Sequence, residues 1–104
     1  MSHPANPHRG EAALELGQET YLLRPTFAAL VAAEEEVGPL FALVERAASG
    51  SLRLSELAAL FWHCLAGRPV TLTRESFSEE LAAAGIVALT PALKVLVRQI
   101  LQGR

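Results

Sequence analysis

The stretch LRPTFAAL (residues 23–30) changes from strand-like to helix-like halfway along, and it decides how the chain is organised. Leu23 and Arg24 end a segment in which side chains alternate as in a half-buried strand. Pro25 has no N–H to donate to a strand ladder, so we expect the strand to end there. Thr26 is a good helix N-cap, and apolar residues follow it at spacings of three and four. The stretch therefore predicts a joint that turns the chain from strand into helix.

Two short alternating segments before the joint predict a β-hairpin. Leu14 and Leu16 belong to the first segment, and Tyr21 and Leu23 belong to the second. The GQE sequence at 17–19 supplies the turn, because its glycine can adopt a positive φ. We expect Leu16 to pair with Tyr21 and Leu14 with Leu23, which places all four on one face. An isolated hairpin is barely stable in water, so it must pack on helices or on another chain.

About five short helices are predicted after the joint, separated by links that contain glycine or proline. The predicted helices cover residues 27–37, 39–49, 56–66 after a Ser55 cap, 74–85 after Thr73, and a last helix that starts at Thr90 and Pro91. The predicted fold is therefore mostly α, with an N-terminal β-hairpin packed on a bundle of about four to five short helices. We expect residues 1–9 to form a flexible tail and residues 10–104 to form a single helical domain.

Apolar stripes along these helices predict which side chains are buried. The stripes are Leu57, Leu60, Phe61, Cys64 and Leu65 in the third helix, Phe77 and Leu81 in the fourth, and Leu93, Leu96, Val97, Ile100 and Leu101 in the last. Two apolar residues lie off these stripes. Trp62 either fills the flank of its helix under the hairpin or is exposed as a binding anchor, and Val95 faces away from the last stripe. Such misplaced apolar residues favour a surface that meets another protein.

Composition excludes several classes of function. Hydrophobic residues make up 51% of the 104 residues and charged residues 19%, with a net charge of −2. A slightly acidic chain is a poor partner for nucleic acid or for an anionic membrane. The single cysteine, Cys64, allows no intrachain disulfide, and we find no signal peptide or membrane-spanning segment. We therefore expect a cytoplasmic protein with no nucleic-acid or membrane partner.

No group of residues carries a catalytic, cofactor-binding or metal-binding signature. His3 and His8 lack further ligands nearby, and His63 points about 100° away from Cys64 on the same helix. We expect Cys64 to be a small core residue and His63 to be solvated. The run of glutamates at 34–36 fans around its helix and is expected to be a solvated helix end. These patterns predict a protein that is not an enzyme and has no cofactor.

The order of the motifs resembles the gene-transfer-agent tail family across roughly residues 9–101. The resemblance rests on RGEAALEL (9–16), YLLRPTFAALVAAEEEVG (21–38), LSELAALFWHCLAG (54–67) and LTRESFSEELAAAGI (72–86). In the last of these, Leu72, Thr73, Glu75, Phe77 and Gly85 stand where the family pattern has LT-x-E, an apolar residue and a closing glycine. One departure is the first turn, where a D-G type dipeptide is common in the family and this chain has GQE.

This resemblance implies a phage-type tail component, and such proteins are described both as tail tube proteins and as tail assembly chaperones. We favour a chaperone of a prophage or gene transfer agent that transiently binds apolar helical segments of the tape measure protein. The expected partners are the tape measure protein or other tail proteins, with a homo-oligomer as a further option. The residues predicted to contact a partner are Tyr21, Leu23, Phe27 and Trp62.

Two alternatives stay open besides the chaperone. A structural tail component fits the same resemblance. A small helical DNA-binding regulator is suggested by the two helices on either side of GRPVTL (67–72), although that connector is long for a helix-turn-helix and the second helix is acidic. An enzyme ranks last, since no titratable groups converge in the sequence pattern.

Overall fold

The computed structural model describes residues 11–103 and confirms a mostly helical fold that begins with a β-hairpin. The elements in chain order are β1 (Ala12–Leu16), β2 (Glu19–Leu23), α1 (Phe27–Val37), α2 (Leu40–Ser49), α3 (Leu54–Cys64), β3 (Leu65–Ala66), α4 (Arg74–Ala84) and α5 (Ile86–Gln102). The expected N-terminal tail, with His3 and His8, lies outside the described residues.

The hairpin forms as predicted, but its predicted register is wrong by two residues. Leu14 pairs with Tyr21 and Leu16 pairs with Glu19, so the turn contains only Gly17 and Gln18. Gly17 has a φ of 62°, whereas Gln18, like the other non-glycine residues among 11–103, does not have a positive φ. A positive φ at the first of the two turn residues only is the pattern of a type II′ turn. Because a shift of two residues preserves the side-chain alternation, the predicted apolar face is correct although its pairs are not.

A short third strand, absent from the sequence prediction, joins the hairpin to the end of α3. We predicted a helix through residue 66, but α3 ends at Cys64 and the chain continues directly into β3. Leu65 pairs with Leu23 in antiparallel register, giving the sheet order β1-β2-β3. The N–H of Arg24 donates to the carbonyl of Cys64 at 2.7 Å, so pairing with β2 ends the helix before Gly67 is reached.

Capping explains the start of α1 and corrects the start of α3. As predicted, the Thr26 hydroxyl oxygen caps α1 and accepts from the Ala29 N–H at 3.1 Å. The predicted Ser55 cap is wrong, because α3 already begins at Leu54. There the Arg53 N–H donates to the Glu56 carboxylate at 3.0 Å, which satisfies a donor at the helix start.

The fourth helix starts as predicted, whereas the last helix starts earlier than predicted. The Thr73 hydroxyl oxygen caps α4 and accepts from the Ser76 N–H at 3.0 Å. Helix α5 begins at Ile86 and carries Pro91 inside it, so the expected start at Thr90 and Pro91 is wrong. Leu89, in the turn before the proline, is fully buried. Its burial anchors this apolar segment to the core and stabilises the first turn of the helix.

The core lies between the sheet and helices α3, α4 and α5, with α1 packed on α3 and α2 packed on α1. Its largest fully buried side chains are Phe61, Phe77, Leu16, Leu23, Leu43, Leu60, Leu81, Leu89, Leu96 and Cys64. The predicted burial of Cys64, Phe77 and Leu81 is confirmed. Among the described residues no single helix is long and apolar enough to cross a membrane, and only α4 and α5 together, bent by 112°, reach that length and composition.

The core face of α5 is rotated relative to the predicted stripe. Leu89, Ala92 and Leu96 are the buried residues of this helix, and Leu93 and Val95 pack against the core beside them. The expectation that Val95 faces away is therefore wrong. The remaining stripe residues, Val97, Ile100 and Leu101, lie outside the core cluster. Part of the predicted stripe is thus left for another surface.

Candidate interaction surface

Large apolar side chains are exposed at the starts of several helices. Phe27 begins α1 with 86% of its surface exposed, and Phe41 lies in the first turn of α2. Ile86 and Val87 begin α5 and are also exposed. Because single exposed apolar side chains are common on protein surfaces, a groove lined by several apolar residues is the better candidate for a contact surface.

An open groove of about 450 Å³ separates α2 from α5, and we call it the α2–α5 groove. It is lined by Val44, Ala47, Ala48, Thr90, Leu93, Lys94, Val97, Arg98, Leu101 and Gln102. Its apolar residues come from both helices, with small alanines on the α2 side. Helix spacing explains the α5 side, because Leu93, Val97 and Leu101 recur every four residues and so form one row.

A second cleft, of about 670 Å³, lies at the strand-to-helix joint, and we call it the joint cleft. It is lined by Glu11, Arg24, Pro25, Thr26, Phe27, Leu30 and Gln99. The Arg24 Nε donates to Glu11 Oε2 at 2.8 Å, and Glu11 is itself buried. This cleft is therefore a mixed surface, with an ion pair beside the exposed Phe27 ring.

Three aromatic rings meet beneath the hairpin, and two of them were predicted to contact a partner. The Tyr21 ring meets the buried Phe77 ring edge-on at 5.9 Å between centroids, and the Trp62 ring lies 5.8 Å from the same ring. The Arg68 guanidinium stacks 4.2 Å above the Trp62 ring. The Tyr21 hydroxyl donates to Glu80 at 3.4 Å. Burial first, and then the Glu80 charge, raises the pKa of Tyr21.

The four predicted partner-contacting residues therefore lie in three different environments. Leu23 is fully buried and contacts only the interior of the fold. Tyr21 and Trp62 are partly buried and come together at Phe77. Phe27 is exposed beside the joint cleft. The sequence prediction did not include the α2–α5 groove. The pattern that could have indicated it is the apolar stripe of α5, because only part of that stripe packs against the core.

One glutamate, one histidine and one arginine form a surface ion-pair cluster. His63 was expected to be solvated, but its Nε2 lies 2.8 Å from Glu36 Oε1, and Arg74 pairs with both oxygens of the same carboxylate. Hydrogen bonds from Arg74, and then from His63, lower the pKa of Glu36 from its ordinary value of 4.5 to about 2. The cluster ties the end of α1 to α3 and α4, so its evident role is structural.

Residues 11–103 bring together no metal-binding group of side chains, and their cysteine is buried. Cys64 is buried, and burial raises the pKa of its thiol to about 12, so the reactive thiolate is strongly disfavoured. No three His, Cys or Glu side chains of this part of the chain come close enough to hold a metal ion.

The geometry between α3 and α4 differs from that of a DNA-binding helix pair. The two helices are joined by residues 65–73, which include β3, whereas a helix-turn-helix connects its helices by about three or four residues. Helix α4 also carries Glu75, Glu79 and Glu80, which would face phosphates. These observations count against the DNA-binding alternative.

Comparison with known protein families assigns the chain as a whole. The family described as phage tail tube protein, GTA-gp10, matches residues 9–103. The chain belongs to this family. The GTA-gp10 assignment confirms the resemblance to a tail-related family of phages and gene transfer agents, and it indicates interaction with other tail proteins. Comparison with curated proteins and with solved structures gives no match.

Proposed function

We propose that this member of the GTA-gp10 family is a tail assembly chaperone that transiently binds apolar helical segments of the tape measure protein. The observation that carries the proposal is the open apolar groove between α2 and α5, together with exposed rings such as Phe27. A groove between two helices suits the apolar face of a third helix, which is a common mode of recognition. Covering such a face in a long helical protein prevents its aggregation before the tail tube encloses it.

Secondary structure favours the chaperone over a tube subunit. A tube subunit is expected to contribute a substantial sheet to a rigid β-rich ring. Within residues 11–103 the strands are β1, β2 and the two-residue β3, whereas five helices make up most of the fold. We therefore propose a binding role in the bacterial cytoplasm, which requires affinity for a partner and no enzymatic activity.

Co-expression with the tape measure protein encoded nearby tests this function. We expect the two proteins to co-purify, and we expect the tape measure protein to be more soluble with the chain than without it. The control is co-expression with an unrelated coiled-coil protein of similar length. Absence of association, with both proteins folded and expressed, would contradict the proposed function.

A structural role in the tail is the second candidate, and one observation favours it. Strand β1 is an edge of the sheet, and an unpaired edge can add a strand from another copy. Analysis of purified particles separates the two roles. A chaperone is expected to be absent from the finished particle, whereas a tube subunit is expected in many copies.

A further inference from the structure

The lining of the α2–α5 groove carries charge of only one sign. Lys94 and Arg98 line the groove, and no carboxylate is among its lining residues. This is unusual in a chain with 11 acidic and 9 basic residues. Neither Lys94 nor Arg98 forms an ion pair within the part of the chain that the structure describes. Their charges are therefore available to a bound molecule.

The two cations run parallel to the apolar row of α5. Lys94 and Arg98 are four residues apart, so they stack one turn above the other, each beside a member of the row. Leu93 and Leu101 bound that row, which extends for about 12 Å along the helix axis. The groove therefore offers an apolar strip about two turns long with a positive edge on one side.

We propose that the α2–α5 groove docks an amphipathic helix that carries carboxylates along one edge of its apolar stripe. This inference rests on the proposed function and specifies its partner: the bound segment of the tape measure protein is a helix with glutamate or aspartate one turn apart. Apolar burial supplies most of the affinity, and the carboxylates opposite Lys94 and Arg98 set the orientation of the helix.

Charge also argues against a second copy of this chain as the occupant. In a two-fold interface the same surface contributes from both copies. With antiparallel helices, apposed α2–α5 grooves would bring both pairs of cations together; with parallel helices, each pair would face an uncharged edge, and neither lining offers a carboxylate. An acidic partner helix meets the same surface without that repulsion.

Two synthetic helices of about 18 residues provide the first test, since five helical turns exceed the length of the groove. Both have the same leucine stripe, and one carries glutamates along one edge where the other carries lysines. We expect fluorescence anisotropy with the full chain to show roughly five-fold tighter binding of the glutamate probe at low salt, and a smaller preference at high salt. Equal affinity for the two probes would overturn the proposal.

Charge reversal in the protein gives a matched second test. The K94E/R98E variant is expected to prefer the lysine probe, which a merely structural role of these residues would not produce. The K94Q/R98Q variant removes both positive charges from the groove. Its control is Q18E/T20E, which changes the net charge of the chain by the same amount at exposed positions of the hairpin. The first pair is expected to lose the preference for glutamate, and the second pair is expected to keep it.

Two exposed residues, one inside the α2–α5 groove and one outside it, test whether the apolar lining binds the probe. Leu101→Gln removes an apolar side chain from the groove, and Val70→Gln removes one from the loop before α4. We expect L101Q to weaken binding of the glutamate probe several-fold and V70Q to leave it unchanged. Equal effects of the two variants would contradict docking in the groove.

Repeating the co-expression experiment with these variants tests the groove assignment separately from the proposed chaperone function. If the tape measure protein co-purifies equally with the wild-type chain, L101Q and K94E/R98E, the groove assignment fails and the chaperone function stands. If it never co-purifies, the function and the assigned partner fail, even where the probes keep their charge preference. The masses of the wild-type chain and of L101Q in solution test for a second copy. A wild-type dimer that becomes a monomer in L101Q would identify a second copy as the occupant and overturn the proposal.

Discussion

The end of strand β2, where the joint begins, and helix α5 differ in how completely they bury their leucines. At the joint, β2 pairs with β1 on one side and with β3 on the other, and Leu23 is fully buried. Helix α5 buries Leu89 and Leu96 but leaves Leu101 with 55% of its surface exposed. The comparison shows that similar leucine-rich segments are either buried in the core or left exposed, depending on which face the neighbouring elements cover.

Truncating one leucine in each region is expected to give the largest difference. Leu23→Ala removes a fully buried side chain and should lower the free energy of unfolding by about 2–5 kcal/mol. Leu101→Ala, at an exposed site, should change it by less than about 1 kcal/mol. Urea denaturation followed by circular dichroism measures both values. Similar losses in the two variants would contradict the division into buried core and exposed surface.

Removing the cap at the joint is expected to have the next largest effect. Thr26→Ala deletes the hydroxyl that accepts from the Ala29 N–H, which should cost about 1 kcal/mol. Thr71→Ala, in the exposed loop before α4, is the control and should be nearly neutral. Thermal unfolding of the two variants measures the difference. Equal melting temperatures would show that the cap does not stabilise the joint.

Acid should loosen the ion-pair cluster that ties α1 to α3 and α4. Because the pKa of Glu36 is lowered from 4.5 to about 2, its stabilising contribution is present above about pH 4.5 and is lost as the pH falls towards 2. Its side chain is 38% exposed, so solvent screening limits the contribution to about 0.5–1 kcal/mol.

Glu36→Gln tests this pH dependence against Glu35→Gln, a change at an exposed neighbour on the same helix. Denaturant midpoints measured between pH 2 and pH 7 should fall less steeply in E36Q than in the wild type. E35Q should follow the wild-type slope. A wild-type slope in E36Q would show that the cluster does not stabilise the folded chain.

The smallest expected effect is at the aromatic cluster under the hairpin. Tyr21→Phe removes a long hydrogen bond to Glu80 but keeps the edge-on contact with Phe77, so the free energy of unfolding should fall by less than about 0.5 kcal/mol. Tyr21→Ala also removes the ring contact and should cost several times more. A loss in Y21F as large as that in Y21A would assign the stabilisation to the hydroxyl group.

Part of the candidate surface was predictable from sequence, and part was not. The sequence predicted an apolar stripe on the last helix and named Phe27 as a partner contact, and the structure places that ring at the surface, which leaves the contact itself a prediction. The groove itself was missed because it joins α5 to Val44 and Ala48 of α2, which lie more than 40 residues before Thr90, the first α5 residue in its lining. Single-helix periodicity cannot identify which of two neighbouring faces another helix will cover.

The sequence by itself determined the joint, the hairpin face, the five helices and the Thr26 and Thr73 caps. These features depend on steric limits, hydrogen bonds and apolar spacing within a few residues. Only the tertiary structure decided the hairpin register, strand β3, the rotation of α5 and the groove beside it. The physical reason is that strand pairing and the choice of a core face are settled between distant segments, where burying Leu89 or pairing Leu65 outweighs a local preference.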